Sequence, residues 1–336
     1  MHKVMIERGW DGLSIDGRGF LITDENVARL YLHSFPKLPN FILPAGEVAK
    51  NMDNVVNILE DMHIAGLDRK STVVALGGGV VTDIAGFVAS IYMRGISQIN
   101  LPTTLMGMVD AALGGKTGID FLGGKNLVGT FHQPRLVYCN IDTLNTLSQE
   151  DFISGLAEVI KYCIIEDRVL LDYLHDNQSA VVKRDMGVLT HIIKRSVGIK
   201  MDIVAKDERE GGLRQILNFG HTFGHAIESA VDFTLPHGHC VALGMVCALD
   251  YSVRNLGLDL AEAEFAISLI KSYGLPCGGG HIPPSIMADQ IYNLMLRDKK
   301  TKQGQLTIIC TRKLGTAEII DNPPKSQILK SIERIL

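Results

Sequence analysis

Thr72-Val73-Val74-Ala75-Leu76 runs straight into Gly77-Gly78-Gly79-Val80-Val81-Thr82-Asp83, and this junction decides the fold class. Its first five residues are small, apolar or β-branched, the composition of a strand buried on both faces of a sheet. Three glycines and a helical pattern follow. In α/β folds, strand, glycine turn and helix in that order hold a nucleotide pyrophosphate. Glycine lets the backbone approach the phosphates, and the helix N-terminus offers N–H groups and a partial positive charge. The spacing is not GxGxxG, so a purely structural turn accounts for the glycines equally well.

Outward from this junction, Phe20-Leu21-Ile22-Thr23 and Phe41-Ile42-Leu43 read as further strands. They close at the polar turn Asp24-Glu25-Asn26 and at Pro44-Ala45-Gly46. From Val48 the positions Val48, Met52, Val55, Val56, Leu59 and Met62 follow helical spacing, and Gly66 is placed to stop that helix. Ile96 to Leu101 and Leu136 to Ile141 are the later strands, with Pro102-Thr103-Thr104 turning toward a helix between them. Strand and helix alternate throughout, which predicts an α/β domain over residues 1–145, a mostly parallel sheet with helices on both faces. Beyond 146 helices dominate: 148–164, with Ser148 and Asp151 as a capping box, then 181–206, 218–231, 237–255 and 261–273. Gln305 to Cys310 and Thr316 to Ile320 predict a β-hairpin. The 336 residues exceed one ordinary core at roughly 100–200 per domain, so the chain reads as two domains, 1–145 and 146–336.

Composition narrows the function. A net charge of −4 without a long basic run gives no support for nucleic-acid binding. The apolar stretches fall far short of the roughly 18 residues a membrane helix needs, and Val241 to Leu249 reads as a buried helix of a globular fold. The start, Met1-His2-Lys3-Val4-Met5-Ile6-Glu7, lacks the features of a signal peptide. Cysteines 139, 163, 240, 247, 277 and 310 form no CxxC pair. This points to reduced thiols in a cytoplasmic protein, and away from a cysteine-built zinc site.

Two clusters carry chemistry. Four of the eleven histidines lie between 221 and 239, in Asn218-Phe219-Gly220-His221-Thr222-Phe223-Gly224-His225-Ala226-Ile227-Glu228 and His237-Gly238-His239. On a helix His221 and His225 share a face. Gly220 and Gly224, each costing roughly 1 kcal/mol of helix propensity, admit a close backbone or a ligand. Two histidines and a carboxylate with an open position make a common catalytic zinc set. His221 and His237, at the starts of consecutive helices, are two candidates. Glu158, set among apolar residues in Gly155-Leu156-Ala157-Glu158-Val159-Ile160-Lys161, is an attractive third, although a simple pair with Lys161 explains it as well. The second cluster is Asp110-Ala111-Ala112-Leu113-Gly114-Gly115-Lys116-Thr117-Gly118 followed by Gly123-Gly124-Lys125-Asn126. Two Gly-Gly-Lys units in one loop region put ammonium groups beside exposed amides, which suits an anionic ligand.

Taken with Gly77 to Val80, Tyr92-Met93-Arg94-Gly95, Pro102 to Thr104 and Asp207 to Arg214, these motifs resemble the 3-dehydroquinate synthases of the sugar-phosphate cyclase family over nearly the whole chain, from about Asp24 to Lys300. The resemblance implies an N-terminal NAD-binding α/β domain and a mainly helical C-terminal metal and substrate domain, with the active site between them. It implies zinc or cobalt on Glu158, His221 and His237. NAD contacts would fall to Asp24, Asn26, Glu47, Lys50, Gly78, Gly79, Asp83, Thr103, Thr104 and Thr146. Catalytic roles would fall to His225, Lys161, Asp110, Lys116, Asn126 and Arg214. Substrate binding would use Arg94, Lys125, Lys200, Asn218 and Glu210, with Arg94 supplied by a neighbouring subunit of a homodimer.

The implied substrate is 3-deoxy-D-arabino-heptulosonate 7-phosphate, whose carboxylate and phosphate need two anion-binding ends. A ring hydroxyl is oxidised, phosphate leaves by β-elimination, the ketone is reduced again, the ring opens, and an intramolecular aldol step closes the carbocycle. His239 departs from the usual His-Gly-Glu and is more familiar from cyclases acting on sedoheptulose 7-phosphate. Those enzymes usually change the residues matching Arg214 and His225, and both are kept here. A cyclase acting on sedoheptulose 7-phosphate or glucose 6-phosphate, a metal-dependent polyol dehydrogenase of shared architecture, and a degenerate cyclase retained as a metal- or NAD-binding partner are the alternatives.

Overall fold

The computed structural model of the chain describes residues 3–122, 124–297 and 306–336. Gly123, and Gln305 at the start of the expected last hairpin, lie outside the described residues. Two compact units are present: Met1–Leu147 with Leu189–Ala205, and Ser148–Val188 with Lys206–Leu336.

The first unit contains β1 (Lys3–Glu7), β2 (Gly19–Asp24), α1 (Glu25–Tyr31), β3 (Asn40–Leu43), α2 (Met52–Ile64), β4 (Thr72–Gly77), α3 (Gly79–Ile91), β5 (Ser97–Pro102), β6 (Lys116–Phe121), β7 (Gly124–Phe131) and β8 (Leu136–Asn140). Six strands form one sheet in the order β1-β8-β5-β4-β2-β3, with every pairing parallel. Alternate residues of a strand serve opposite faces. Phe20, Ile22, Val73 and Ala75 join one buried cluster, and Leu21, Val74 and Leu76 join another. Both faces are thus covered, as continuous apolar strands require. Progression from β2 runs outward to β3, and from β4 the other way to β5 and β8. The carboxyl ends of β2 and β4 therefore flank the switch point at which such sheets bind ligands.

The second unit contains α4 (Gln149–Ile165), α5 (Arg168–Asp176), α6 (Gln178–Val182), the start of α7 (Met186–Lys206), α8 (His221–Ala230), α9 (His237–Leu256), α10 (Leu260–Ser272), α11 (Ala288–Arg297), β9 (Thr307–Cys310), β10 (Glu318–Asp321) and α12 (Lys325–Glu333). Ser148 caps α4 by accepting from the Asp151 amide, while its hydroxyl donates to the Asp151 carboxylate at 2.7 Å. Val241 to Leu249 is buried, and no helix among the described residues is long and apolar enough to cross a membrane.

Three expectations need correction, and one strand was not foreseen. The helix expected from Val48 begins at Met52, because the Asn51 side chain caps it. Its buried face is Val55, Ile58 and Met62, and Val48 is 77% exposed. The Gly-Gly-Lys region is not a loop: β6 and β7 form an antiparallel hairpin. β1, unexpected from the sequence, pairs with β8. The helix expected from Val181 is broken at Lys183-Arg184-Asp185, where Arg184 takes φ 59°.

Candidate active site

In the second unit, three helices bring Glu158, His221 and His237 to one point. Gly238 follows His237, and its amide donates to Ser154 Oγ at 3.0 Å. A Cβ at 238 would lie 2.1 Å from the Ser154 carbonyl oxygen, so only glycine lets α9 begin this close to α4. Ser154 and Glu158 are one turn apart on one face of α4, so the contact that seats α9 also aims Glu158 at His237. α8 sits on α9 in the same way. A Cβ on Gly244 would meet the Gly220 carbonyl oxygen at 2.0 Å, and Gly220 itself takes φ 76° at the start of α8. The close approach that Gly220 and Gly224 allow is therefore used by a helix backbone.

Glu158 Oε1 lies 3.3 Å from His221 Nε2 and 3.9 Å from His237 Nε2, and one ligand atom from each of the three residues falls within 4.8 Å of the others. Glu158 Oε2 meets Lys161 Nζ at 2.5 Å, so the pairing with Lys161 and the approach to both imidazoles coexist. Lys161 also sits over the Tyr162 ring at 4.8 Å. His225, half-buried, completes a triangle of imidazoles with centroids 5.5 Å from His221 and 5.8 Å from His237.

The donor set fits a divalent cation. His221 Nδ1 lies 3.1 Å from the Phe219 carbonyl oxygen. That oxygen can only accept, so Nδ1 carries the proton and Nε2 presents a lone pair. Burial pushes the His221 pKa down to about 4 against the pull of Glu158, which keeps the ring neutral. A lone pair facing a carboxylate at 3.3 Å is repulsive, and a cation held between them reverses the sign.

Nearby, Asp207 accepts from the amides of Gly211, Gly212 and Arg214 and shapes the loop before α8. Arg214, 2% exposed, donates to the Glu208 carbonyl. Asn218 Nδ2 donates to Glu210 Oε1 at 2.7 Å.

In the first unit the expected cofactor residues follow the carboxyl ends of the strands. Asp24, after β2, caps α1 by accepting from the Asn26 and Val27 amides, and Asn26 Oδ1 accepts from Arg29. Gly78 and Gly79 open α3 after β4, and Thr103 and Thr104 follow β5. Thr146 Oγ1 is 2.6 Å from the Tyr31 hydroxyl. Lys50, 4% exposed, ties several of these residues together. Its Nζ lies 2.8 Å from Asp83 Oδ2, 2.5 Å from Asn126 Oδ1 and 3.6 Å from Glu47 Oε1. Burial alone would lower its pKa, but Asp83, Glu47 and Asp120 outweigh burial and raise it. The Lys50 carbonyl accepts from Asp120 N and Lys50 Nζ donates to Asn126 Oδ1, so the β6–β7 hairpin is fixed to Lys50 at two points, and Asp120 in turn accepts from Asn126 N within the hairpin. Lys200 Nζ donates to both the main-chain oxygen and Oδ1 of Asp110 at 2.6 Å. Lys116 is exposed and Lys125 half-buried on the hairpin. Arg94 is exposed at φ 71°, beside Met93 at φ 50°.

Two family models cover most of the chain: 3-dehydroquinate synthase N-terminal over residues 40–154, and 3-dehydroquinate synthase C-terminal over residues 155–301. The chain belongs to the 3-dehydroquinate synthase family. A 3-dehydroquinate synthase of Acidithiobacillus ferrooxidans is 43% identical over 325 residues, spanning 94% of this chain and 88% of the relative. Among solved structures, a 2-epi-5-epi-valiolone synthase from Streptomyces hygroscopicus with NAD+ and Zn2+ bound superposes with a TM-score of 0.90 at 27% identity, over 100% of this chain and 96% of the other. A 2-deoxy-scyllo-inosose synthase complexed with carbaglucose-6-phosphate, NAD+ and Co2+ gives 0.88 at 25% identity, over 99% and 96%. The expected two-part architecture is that of these cyclases.

Within this family member, His239 stands apart from the imidazole triangle. Two residues beyond His237 it points to the other side of α9, half-buried, and its Nε2 has no hydrogen-bond partner among the described residues. Burial lowers its pKa against the pull of Glu150. Sequence reasoning missed Ser154 and gave no role to Gly238 and Asp207, whose work is to hold backbone. It also gave no role to Glu228, although seven residues after His221 it falls on the histidine face of α8.

Proposed function

We propose that the chain is a 3-dehydroquinate synthase, a phosphate-eliminating cyclase of aromatic amino acid biosynthesis through the shikimate pathway. It converts 3-deoxy-D-arabino-heptulosonate 7-phosphate to 3-dehydroquinate and phosphate with NAD and a divalent metal, zinc or cobalt. The observation that carries this reading is Glu158 Oε1 between the Nε2 atoms of His221 and His237, in a chain of this family. Glu158, His221 and His237 would hold a metal able to polarise a substrate oxygen, and NAD at its own site would supply a reversible hydride acceptor.

The other assignments concern what the side chains do. Gly78, Gly79, Thr103 and Thr104 cradle the cofactor phosphates, and Asp24, Asn26, Glu47, Lys50, Asp83 and Thr146 hold the rest of the cofactor. Their clustering at the carboxyl ends of β2, β4 and β5 supports this. Lys161, paired with Glu158, takes part in catalysis. His225 moves protons at the edge of the metal site. Lys116, Lys125 and Arg94 bind anionic groups of the substrate, and Arg214, Asn218, Glu210, Asn126 and the Lys200–Asp110 pair orient it. On the same reading residues 1–145 are the NAD-binding domain and 146–336 the metal- and substrate-binding domain, and the enzyme works in the cytoplasm as a homodimer, without nucleic-acid or membrane partners.

One assay tests the reading. Protein supplied with heptulosonate phosphate, NAD and zinc releases phosphate with no net NADH. Phosphate release from sedoheptulose 7-phosphate or glucose 6-phosphate instead would reassign the substrate. Stoichiometric NADH from a polyol would make the protein a dehydrogenase.

A further inference from the structure

We infer that Glu228 is the positioning residue of His237, and through it a determinant of metal affinity. The inference rests on the metal reading of Glu158, His221 and His237. His221, His225 and Glu228 occupy successive turns of one face of α8, at spacings of four and three. Glu228 is 4% exposed, and its Oε2 lies 3.6 Å from His237 Nδ1, the nitrogen behind the one that faces Glu158.

The chain is bent to make this contact. Between α8 and α9 it reverses through Asp232 and Phe233, both left-handed at φ 49° and 58°, and the Phe233 amide donates to the Glu228 carbonyl oxygen at 2.9 Å. Two consecutive non-glycine residues in that region are costly, and the reversal they make sets the first residue of α9 against the last turn of α8.

Both metal-facing imidazoles therefore have an oxygen at Nδ1: His221 the Phe219 carbonyl at hydrogen-bonding distance, His237 a carboxylate at ion-pair distance, just beyond it. An oxygen behind Nδ1 attracts its proton, favours that tautomer and turns the Nε2 lone pair forward. A carboxylate does so more strongly than a carbonyl and makes the ring a better donor. His237 needs this more than His221. It is the more exposed of the two, with 32% of its side chain accessible against 11%, so packing holds it less.

The test is the zinc affinity of the apoprotein, measured by competition with a chromophoric chelator and so independent of turnover. Glu228→Ala binds zinc 10- to 100-fold more weakly. Glu228→Gln, which keeps an acceptor oxygen, recovers part of that loss, and with cobalt its visible spectrum shifts from that of the parent. Thermal melts of the apo variants separate this from packing, because a purely structural glutamate lowers the apo melting temperature and leaves the zinc affinity of the folded protein unchanged. Parent-like zinc affinity in Glu228→Ala overturns the inference while the metal reading stands. Failure of the parent protein to bind zinc removes both.

Discussion

Gly238→Ala tests how the metal site is built without touching a ligand. The new Cβ would lie 2.1 Å from the Ser154 carbonyl oxygen and 2.6 Å from its hydroxyl. A carbon–oxygen contact sits at about 3.3 Å or more, so the first turn of α9 must retreat from α4 by roughly 1.2 Å. Zinc–ligand distances tolerate errors of only about 0.2 Å, so that retreat takes His237 out of reach of a cation held by Glu158 and His221. The cost to the fold is the Gly238–Ser154 hydrogen bond plus overpacking, about 2–4 kcal/mol together. In a unit of this size that lowers Tm by several degrees, at about 2–4 °C per kcal/mol. Gly198→Ala in α7 is the control. Nothing lies within 4 Å of its Cβ position, and a helical alanine is worth about 0.5–1 kcal/mol over glycine. The assay is calorimetry beside atomic spectroscopy of the dialysed proteins. Gly238→Ala melts lower and carries less than stoichiometric zinc, while Gly198→Ala matches or exceeds the parent in both. Full zinc content and an unchanged Tm in Gly238→Ala would refute the argument that this contact aims His237.

Two further outcomes follow from electrostatics. Burial pushes the Cys139 and Cys310 thiols up to about 12 and Cys277 to about 11, so at pH 8 a disulfide reagent modifies the native protein slowly, first at half-buried Cys277, and reaches all six thiols only in denaturant. Rapid modification of several thiols in the native state would contradict this. The amides of Arg214, Gly211 and Gly212 hold the Asp207 carboxyl below its usual value. Because the folded value is depressed, the stabilisation is fully present above about pH 4 and is lost as pH falls through the folded value. Hydrogen exchange in the 207–214 loop therefore stays slow down to about pH 4 and accelerates below it. Asp207→Ala exchanges quickly at neutral pH, and parent-like protection in that variant would contradict the assignment.

Much of this was legible in the residues, and the gaps have physical causes. The β4–glycine–α3 junction and the neighbouring strands announce themselves because strands buried on both faces are continuously apolar. β1 escapes for the opposite reason. Lys3-Val4-Met5-Ile6-Glu7 is a half-exposed edge strand whose partner, β8, lies more than a hundred residues away. The β6–β7 hairpin reads as a loop because Gly118, Gly124 and Gly129 dilute its alternation. The break before α7 falls on Arg184, a non-glycine in a left-handed conformation, which leaves no mark in composition. At the metal site, histidine density and helix starts point to His221 and His237. The choice of Glu158 depends on how α9 packs on α4 through Gly238 and Ser154, a contact between distant segments that spacing does not encode. Glu228 was visible at helical spacing from both histidines, but its role depends on the turn at Asp232 and Phe233.

X-ray absorption at the zinc edge of the reconstituted protein reads the ligands of the ion itself. A Glu158, His221 and His237 site gives a shell of nitrogen and oxygen at about 2.0–2.1 Å, with the outer-shell scattering of two imidazoles and no sulfur. In His237→Ala one imidazole contribution disappears. A sulfur shell near 2.3 Å, or an unchanged spectrum in that variant, would place the metal elsewhere and contradict this assignment.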